Sequence, residues 1–246
     1  MLCRPQSAGN IGGAARVLKN LGFADLRLVA PELKWRGEAA VMAVHAQDVL
    51  ASATRWPNLK SAVADCSLTV GTTCRPGAYR AAANELRMFA PELTTLAAAG
   101  RVAIIFGSED HGLTNEELKL CQRLITIPTA SEYRSLNLAQ AVAIVAYEAA
   151  MTLDAGTPSR QAVERAPAGD VDAMLERMSD ALVAIGFLPE SNPDHIMFTL
   201  RAIFGRSGLS PRELAVLNGI ARQMRWAAEG GHATIRAKRA VGRKLR

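Results

Sequence analysis

The sequence predicts an α/β protein, a doubly wound parallel sheet with helices on both faces, followed by a small helical extension. Three observations lead there. Short runs of Val, Ile and Leu recur through residues 1–153, longer segments of helical periodicity separate them, and the rest of the chain carries the helical pattern alone. The 246 residues are 49% hydrophobic and 21% charged, enough for a sizeable core, which excludes disordered, collagen-like and coiled-coil chains.

The runs Leu26–Ala30, Leu68–Val70, Val102–Phe106 and Leu124–Ile127 are bounded by turn residues, as buried parallel strands are. Helical segments are predicted at about 11–22, 41–53, 80–98, 114–122 and 137–153. Thr114 followed by Glu117 is a capping box that fixes one helix start. Ligands of such sheets bind in the loops leaving the carboxyl ends of strands, so chemistry is expected just after Val70, Phe106 and Ile127. Residues 154–170 turn to Gly, Pro, Ser and scattered charge, a linker between a first domain (1–153) and a helical unit (171–230). That unit is read as helices from about Val171 to Gly186, Asp194 to Phe204 and Pro211 to Ala228, the last capped by Ser210 and Glu213. Leu214, Leu217, Ile220, Ala221 and Met224 form one apolar stripe on it. The stripe reads first as packed core and, with the apolar helix after Asn137, as surface for a homodimer.

Charge is placed unevenly. Lys and Arg total 29 against 23 Asp and Glu, a net +6, and Arg236, Lys238, Arg239, Arg243, Lys244 and Arg246 account for all of the excess. This basic tail (231–246) suits a phosphate backbone, with a mere solubility tail as the bland reading. Cys3, Cys66, Cys74 and Cys121 include no CxxC pair and follow no secretory signal, so a reducing cytoplasm is expected, without a disulfide scaffold or structural zinc. The longest apolar stretch, Ala139–Leu153, is interrupted by Gln140 and Glu148 and falls short of the ~20 residues that cross a bilayer.

Three segments hold residue types suited to chemistry. Ser7–Arg16, S-A-G-N-I-G-G-A-A-R, reads as a glycine-rich turn entering a helix, where a backbone approaches a ligand closely and a helix start attracts anions. It is not G-x-G-x-x-G and lacks the acidic residue that would hold a ribose, which disfavours a nicotinamide cofactor. Phe106–Leu113, F-G-S-E-D-H-G-L, sets Glu109 and Asp110 between two glycines, either as acid and base or as a solvated turn; His111 has no second histidine at metal-ligand spacing. Ile127–Asn137, I-P-T-A-S-E-Y-R-S-L-N, ends a strand and opens a helix, with Ser135 as a cap or a substrate contact; without a G-x-S-x-G elbow it is no serine nucleophile.

Taken together, residues 7–16, 106–113 and 127–141 resemble the three signature motifs of the SPOUT superfamily of RNA methyltransferases (TrmH family): G-N-I-G-x-x-A-R, then I-F-G-x-E-x-x-G-L-T-N-E-E, then S-L-N-L-A-x-A-V. Residues 197–223 are similar to the helical extension of the TrmJ branch, which methylates the ribose 2′ oxygen of nucleotide 32 in the tRNA anticodon loop. The resemblance implies S-adenosylmethionine bound in a trefoil-knotted crevice and a homodimer whose active site draws on both subunits; no metal is expected, because the sequence offers no ligand cluster. Thr72, Thr73, Cys74, Gly107, Ile127, Arg134, Ser135 and Leu136 would then line the cofactor site, supported by Glu109, Gly112 and Asn137. Asn10 and Arg16 match the positions that meet the substrate ribose and phosphate, and Ser135 joins them as a catalytic candidate. Methyl transfer from a sulfonium rests on in-line positioning more than on strong acid or base groups. Arg16, protonated at any working pH, would orient the ribose and its phosphate or lower the hydroxyl pKa.

Two departures from the family pattern stand out. Only Met1–Pro5 precede the glycine segment where members carry a full strand, so this strand is expected to be truncated or to start upstream. Ser108 stands where many relatives have an Arg, so one phosphate contact is expected to be missing. Rival readings are a 2′-O-methyltransferase for another tRNA or ribosomal RNA ribose, and a catalytically silent RNA-binding module.

Overall fold

A computed structural model describes residues 1–31, 35–75, 83–154 and 165–231. Strands β1 (Leu2–Cys3), β2 (Arg27–Val29) and β3 (Thr54–Trp56) form one parallel sheet in that order. Strands β4 (Leu68–Thr72), β5 (Asn84–Glu85), β6 (Val102–Ile105) and β7 (Arg123–Thr126) form a second, ordered β5-β7-β4-β6 and also parallel. Leu2 bridges Phe106 across the seam; the Cys3 N–H donates to the Phe106 carbonyl (2.8 Å) and the Phe106 N–H to the Met1 carbonyl (3.0 Å). The result is one sheet, β5-β7-β4-β6-β1-β2-β3. The first strand is as short as expected, yet it stands in the middle, and pairing on both edges compensates for its two-residue length.

The alternation of side chains explains the layers. Leu2, Leu28, Leu68, Val70 and Ile125 point to one face, where they pack under α1 (Ala8–Asn20), α2 (Arg36–Ala43), α3 (Gln47–Ser52) and α8 (Leu138–Asp154). Their neighbours Cys3, Val29, Ala103, Ile105 and Leu124 point to the other, under α4 (Leu59–Val63) and α7 (Asn115–Lys119). A period of two with both faces covered is what gave these strands their near-continuous apolar sequence. On the second face Arg27 is buried, bonded to Asp65 (2.6 and 3.0 Å) and stacked 5.6 Å from the Trp56 ring centroid. The Arg27 hydrogen bond holds the Asp65 carboxyl down at about 2.

Two predicted helices are broken. The 41–53 segment is α2 and α3, parted at Val44, whose φ of 54° ends the first helix. The part of 80–98 that is described opens with strand β5, and its helical remainder is divided into α5 (Leu86–Phe89), a 3₁₀ turn (Ala90–Glu92) and α6 (Leu93–Ala98), because Pro91 lacks the N–H that a continuous helix needs. Strands β3 and β5 escaped the sequence pattern because both are edges, and β3 exposes Thr54 and Arg55.

The extension folds as α9 (Ala168–Ala184), α10 (Asp194–Ser207) and α11 (Pro211–Ala228). Of the α11 stripe, Leu214 and Ala221 are buried and Leu217 and Met224 half-buried against Val171, Met174, Leu175 and Met178 of α9; only Ile220 stays exposed. Most of the stripe is therefore intramolecular core, whereas α8 leaves Ile144, Tyr147 and Met151 at the surface. The extension is fastened to the sheet domain. Ala168 N–H donates to the Cys66 carbonyl (2.5 Å) and Gly169 N–H to that of Ala64 (3.2 Å), and a Cβ on Gly205 of α10 would collide with the Gln122 carbonyl. A buried Arg201–Asp172 ion pair ties α10 to α9. The basic residues 236–246 and linker residues 155–164 lie outside the described residues. No described helix is long and apolar enough to cross a membrane.

Candidate active site

Loops leaving β4, β6 and β7 meet at the carboxyl end of the sheet around an open cavity. After β4, the Thr72 hydroxyl donates to the Ile105 carbonyl (3.0 Å) and the Thr73 N–H to the Ile125 carbonyl (2.9 Å). The exit of the strand is thus pinned to both neighbours, and Thr72, Thr73 and Cys74 present to the cavity. After β6, residues 106–113 close on themselves: the Gly112 N–H donates to the Ser108 carbonyl (2.8 Å), with Gly112 at φ 64°. A Cβ on Gly107 would collide with the Gly112 and Leu113 backbone, so only glycine admits this closure. After β7, Ile127, Arg134, Ser135 and Leu136 form the remaining wall.

One hydrogen-bond chain ties the three motif segments together. The Glu109 carboxylate accepts from the N–H groups of Gln6 (2.9 Å) and Ser7 (3.1 Å), and from Asn10 Nδ2 (2.8 Å). Asn10 Oδ1 accepts from Asn137 Nδ2 (2.9 Å), and Asn137 Oδ1 caps α8 through the N–H groups of Ala139 (2.9 Å) and Gln140 (3.3 Å). Each amide faces a partner of the complementary kind, so both orientations are determined. A second brace lies behind the loop. Arg4, turned by a φ of 49°, grips Glu117 with Nε (3.0 Å) and Nη2 (2.7 Å) and donates to the Gly112 carbonyl (3.1 Å) and Ser108 Oγ (3.4 Å).

These contacts set the charge states. Burial pushes the Glu109 carboxyl up, but hydrogen bonds from Asn10 and the backbone outweigh it and hold it below its ordinary 4.5. Glu117 behaves alike, burial being outweighed by Arg4 and Thr114. Both glutamates are therefore ionised acceptors rather than proton donors. Because the folded-state values lie below the unfolded ones, the unfolded chain takes up protons first on acidification. The stabilisation is complete above 4.5 and is lost as pH falls through the lowered values. Denaturant midpoints should fall in that acid window, and less steeply for Glu117→Gln; an unchanged slope in that variant would contradict the assignment.

Comparison with known proteins fits this geometry. Residues 1–147 match the model of the SpoU rRNA methylase family, and residues 169–234 that of the tRNA methyltransferase TrmJ C-terminal domain. The chain belongs to the SpoU methylase family. It is 37% identical over 242 residues to the tRNA (cytidine/uridine/adenosine-2′-O-)-methyltransferase TrmJ of Pseudomonas aeruginosa, covering 94% of each chain. It is 34% identical to the tRNA (cytidine/uridine-2′-O-)-methyltransferase TrmJ of Escherichia coli K12, covering 95% of this chain and 97% of that one. The crystal structure of TrmJ from Z. mobilis ZM4 superposes with a TM-score of 0.76 at 34% identity, covering 91% and 96% of the two chains.

In this SpoU methylase the expected site residues divide into three groups. Thr72, Thr73, Cys74, Gly107, Glu109, Gly112, Ile127, Arg134, Ser135 and Leu136 line the cavity. Asn10 and Asn137 stand behind it, joined through Glu109. Arg16 is exposed on α1 and is not part of the wall. The glycine segment is not a ligand loop: Ser7 caps α1, and Gly9, Gly12 and Gly13 already lie inside the helix. A Cβ on Gly12 would collide with the Ala39 carbonyl of α2, and one on Gly13 would come within 3.0 Å of the Ala139 Cβ of α8. These glycines serve helix packing. Sequence reasoning missed Arg75, Ser108 and His111 as wall residues. Arg75, whose Nη2 donates to the Asp110 carbonyl (2.6 Å), adjoins Cys74, and that adjacency was the available signal.

Proposed function

We propose that this SpoU methylase is an S-adenosylmethionine-dependent tRNA methyltransferase acting on the ribose 2′ oxygen of cytidine or uridine at position 32 of the anticodon loop, as a cytoplasmic homodimer. The observation that carries the reading is the cavity that the loops after β4, β6 and β7 build together, with the first motif joined to it from behind through Glu109–Asn10–Asn137. The relatives' substrates and the TrmJ-type extension support tRNA as the target. The two-unit division, catalytic through 153 and helical from about 171, is supported by the separate core under α9 and α11.

The cavity suits an adenosyl cofactor. Phe106, Leu113, Ile127 and Leu136 offer apolar walls for a base, while Thr72, Thr73 and Ser135 offer hydroxyls among exposed loop backbone. Bound there, the cofactor supplies an electrophilic methyl on a sulfonium, which needs no Lewis acid. The chain's own task is orientation: the Glu109 chain holds α1 and α8 in fixed register beside the cavity. A guanidinium at Arg16 stays charged, binds the ribose phosphate and stabilises the oxyanion that develops as the 2′ hydroxyl loses its proton to solvent water. Since Arg16 stands outside its own cavity, it is assigned to the partner's. The exposed Ile144, Tyr147 and Met151 of α8 support such a pairing.

Mapping of 2′-O-methyl positions in RNA from cells with and without the gene, together with methyl incorporation into tRNA by the purified protein, tests the proposal. Loss at position 32 is expected. Loss at another ribose would move the target, and unchanged maps without incorporation would overturn the enzyme reading.

A further inference from the structure

At the amino end of β7, away from the cavity, the junction between sheet and extension gathers more guanidinium charge than carboxylate. The Arg123 side chain is 12% exposed; its Nη2 donates to the Arg206 carbonyl at the end of α10 (3.0 Å) and meets Glu92 at 3.3 Å. Its Nε is buried and finds no acceptor among the described residues. Arg165, just ahead of α9, is half-buried with its guanidinium laid on Gly208, where a Cβ would collide with Cζ and both terminal nitrogens. Gly208, at φ 66°, also terminates α10, donating to the Phe204 carbonyl (2.8 Å). Ala166 N–H donates to the Leu209 carbonyl (2.7 Å), so the backbone on both sides of the Arg165 guanidinium is held.

Among the described residues no acceptor pairs with Arg165. Burial, then Arg123, lowers its pKa, and only Glu92 opposes them. A guanidinium does not escape by losing its proton, so a half-buried positive charge stays unmatched with its planar fork of donors open. The chemistry that answers the open Arg165 fork, with the Arg123 guanidinium held on the same turn through the Arg206 carbonyl, is an anion offering several oxygens in a fixed array, which a phosphate group does.

We propose that Arg123 and Arg165 form a phosphate-binding site at the junction of sheet and helical extension, separate from the cofactor cavity. The phosphate comes either from the RNA backbone, which rests on the proposed function, or from a free phosphate compound. The test uses the full chain and Arg165→Gln, with Arg165→Lys as a variant that keeps the charge and loses the fork. Thermal unfolding is compared in millimolar inorganic phosphate and in chloride of equal ionic strength, and tRNA binding is measured over a salt series. In chloride, Arg165→Gln should melt no lower than the parent, since it removes an unmatched charge. Phosphate should raise the melting temperature of the parent, not that of Arg165→Gln, and that of Arg165→Lys by an intermediate amount.

For an RNA source, Arg165→Gln should weaken tRNA binding about 3- to 10-fold and reduce the salt slope by about one, with S-adenosylmethionine affinity unchanged. A lost phosphate response with an unchanged tRNA slope keeps the site and assigns it to a free phosphate compound. Equal phosphate response and equal tRNA slope in parent and Arg165→Gln would overturn the site. Failure of the parent to bind tRNA at all would instead count against the proposed function and leave the phosphate comparison standing.

Discussion

Gly107→Ala should abolish methyl transfer and lower S-adenosylmethionine affinity by about 100-fold or more, equivalent to ~2.7 kcal/mol. The added methyl meets backbone at Gly112 and Leu113, which cannot swing aside as a side chain would. Opening the 106–113 loop breaks the Gly112–Ser108 hydrogen bond (2.8 Å) and displaces Glu109 from its three donors. Stability should fall by about 3 kcal/mol, the upper end for overpacking. Calorimetric titration with the cofactor and denaturant unfolding read the two effects separately. Normal cofactor affinity in this variant would show that the loop is not part of the cofactor site.

Arg16→Ala should cut turnover by ~100-fold or more while leaving cofactor binding and fold intact, since the contact strengthens toward the transition state. The exposed position of Arg16 on α1 makes its fold role small. It also supplies a sharper experiment. If Arg16 serves the partner's cavity, mixing Arg16→Ala chains with Gly107→Ala chains should restore activity, because each hybrid dimer holds one intact cavity facing one intact Arg16. Full turnover by Arg16→Ala alone would remove it from the mechanism. No recovery on mixing, with hybrid dimers demonstrated by light scattering and tagged pull-down, would place Arg16 and the cavity it serves in one subunit.

The central strands were legible because both their faces are buried, which leaves a run of Val, Ile and Leu that nothing else in the chain imitates. The edges were not: Thr54–Trp56 and Asn84–Glu85 bury too little to carry that signature. The cavity position followed from strand order, since loops at the carboxyl ends of β4, β6 and β7 converge whatever their composition. Side-chain roles within the loops were harder. The Gly9–Gly13 segment reads as a phosphate-type turn because glycine signals close approach without saying to what; here the neighbours are α2 and α8. Glu109 reads as an acid or base until its three donors are counted, after which it is a brace. Arg4 carried no motif signal, because its partners Glu117 and Gly112 are more than a hundred positions away.

The seam at Leu2 and Phe106 sets a timetable for the growing chain. Residues 1–3 leave the ribosome well before the strand they must meet, and one edge of β1 has no partner until β6 has been made, a separation of 104 positions. In the interval β1–β2–β3 is a three-stranded piece with a raw inner edge, and β4, although already made, has neither β6 nor β7 to pair with. At roughly 5–20 residues per second that interval lasts several seconds or more. Closure of the seam is a late, long-range event of the kind that slows folding and leaves strand edges open to wrong partners. A strand of only two residues is the one whose pairing must wait longest.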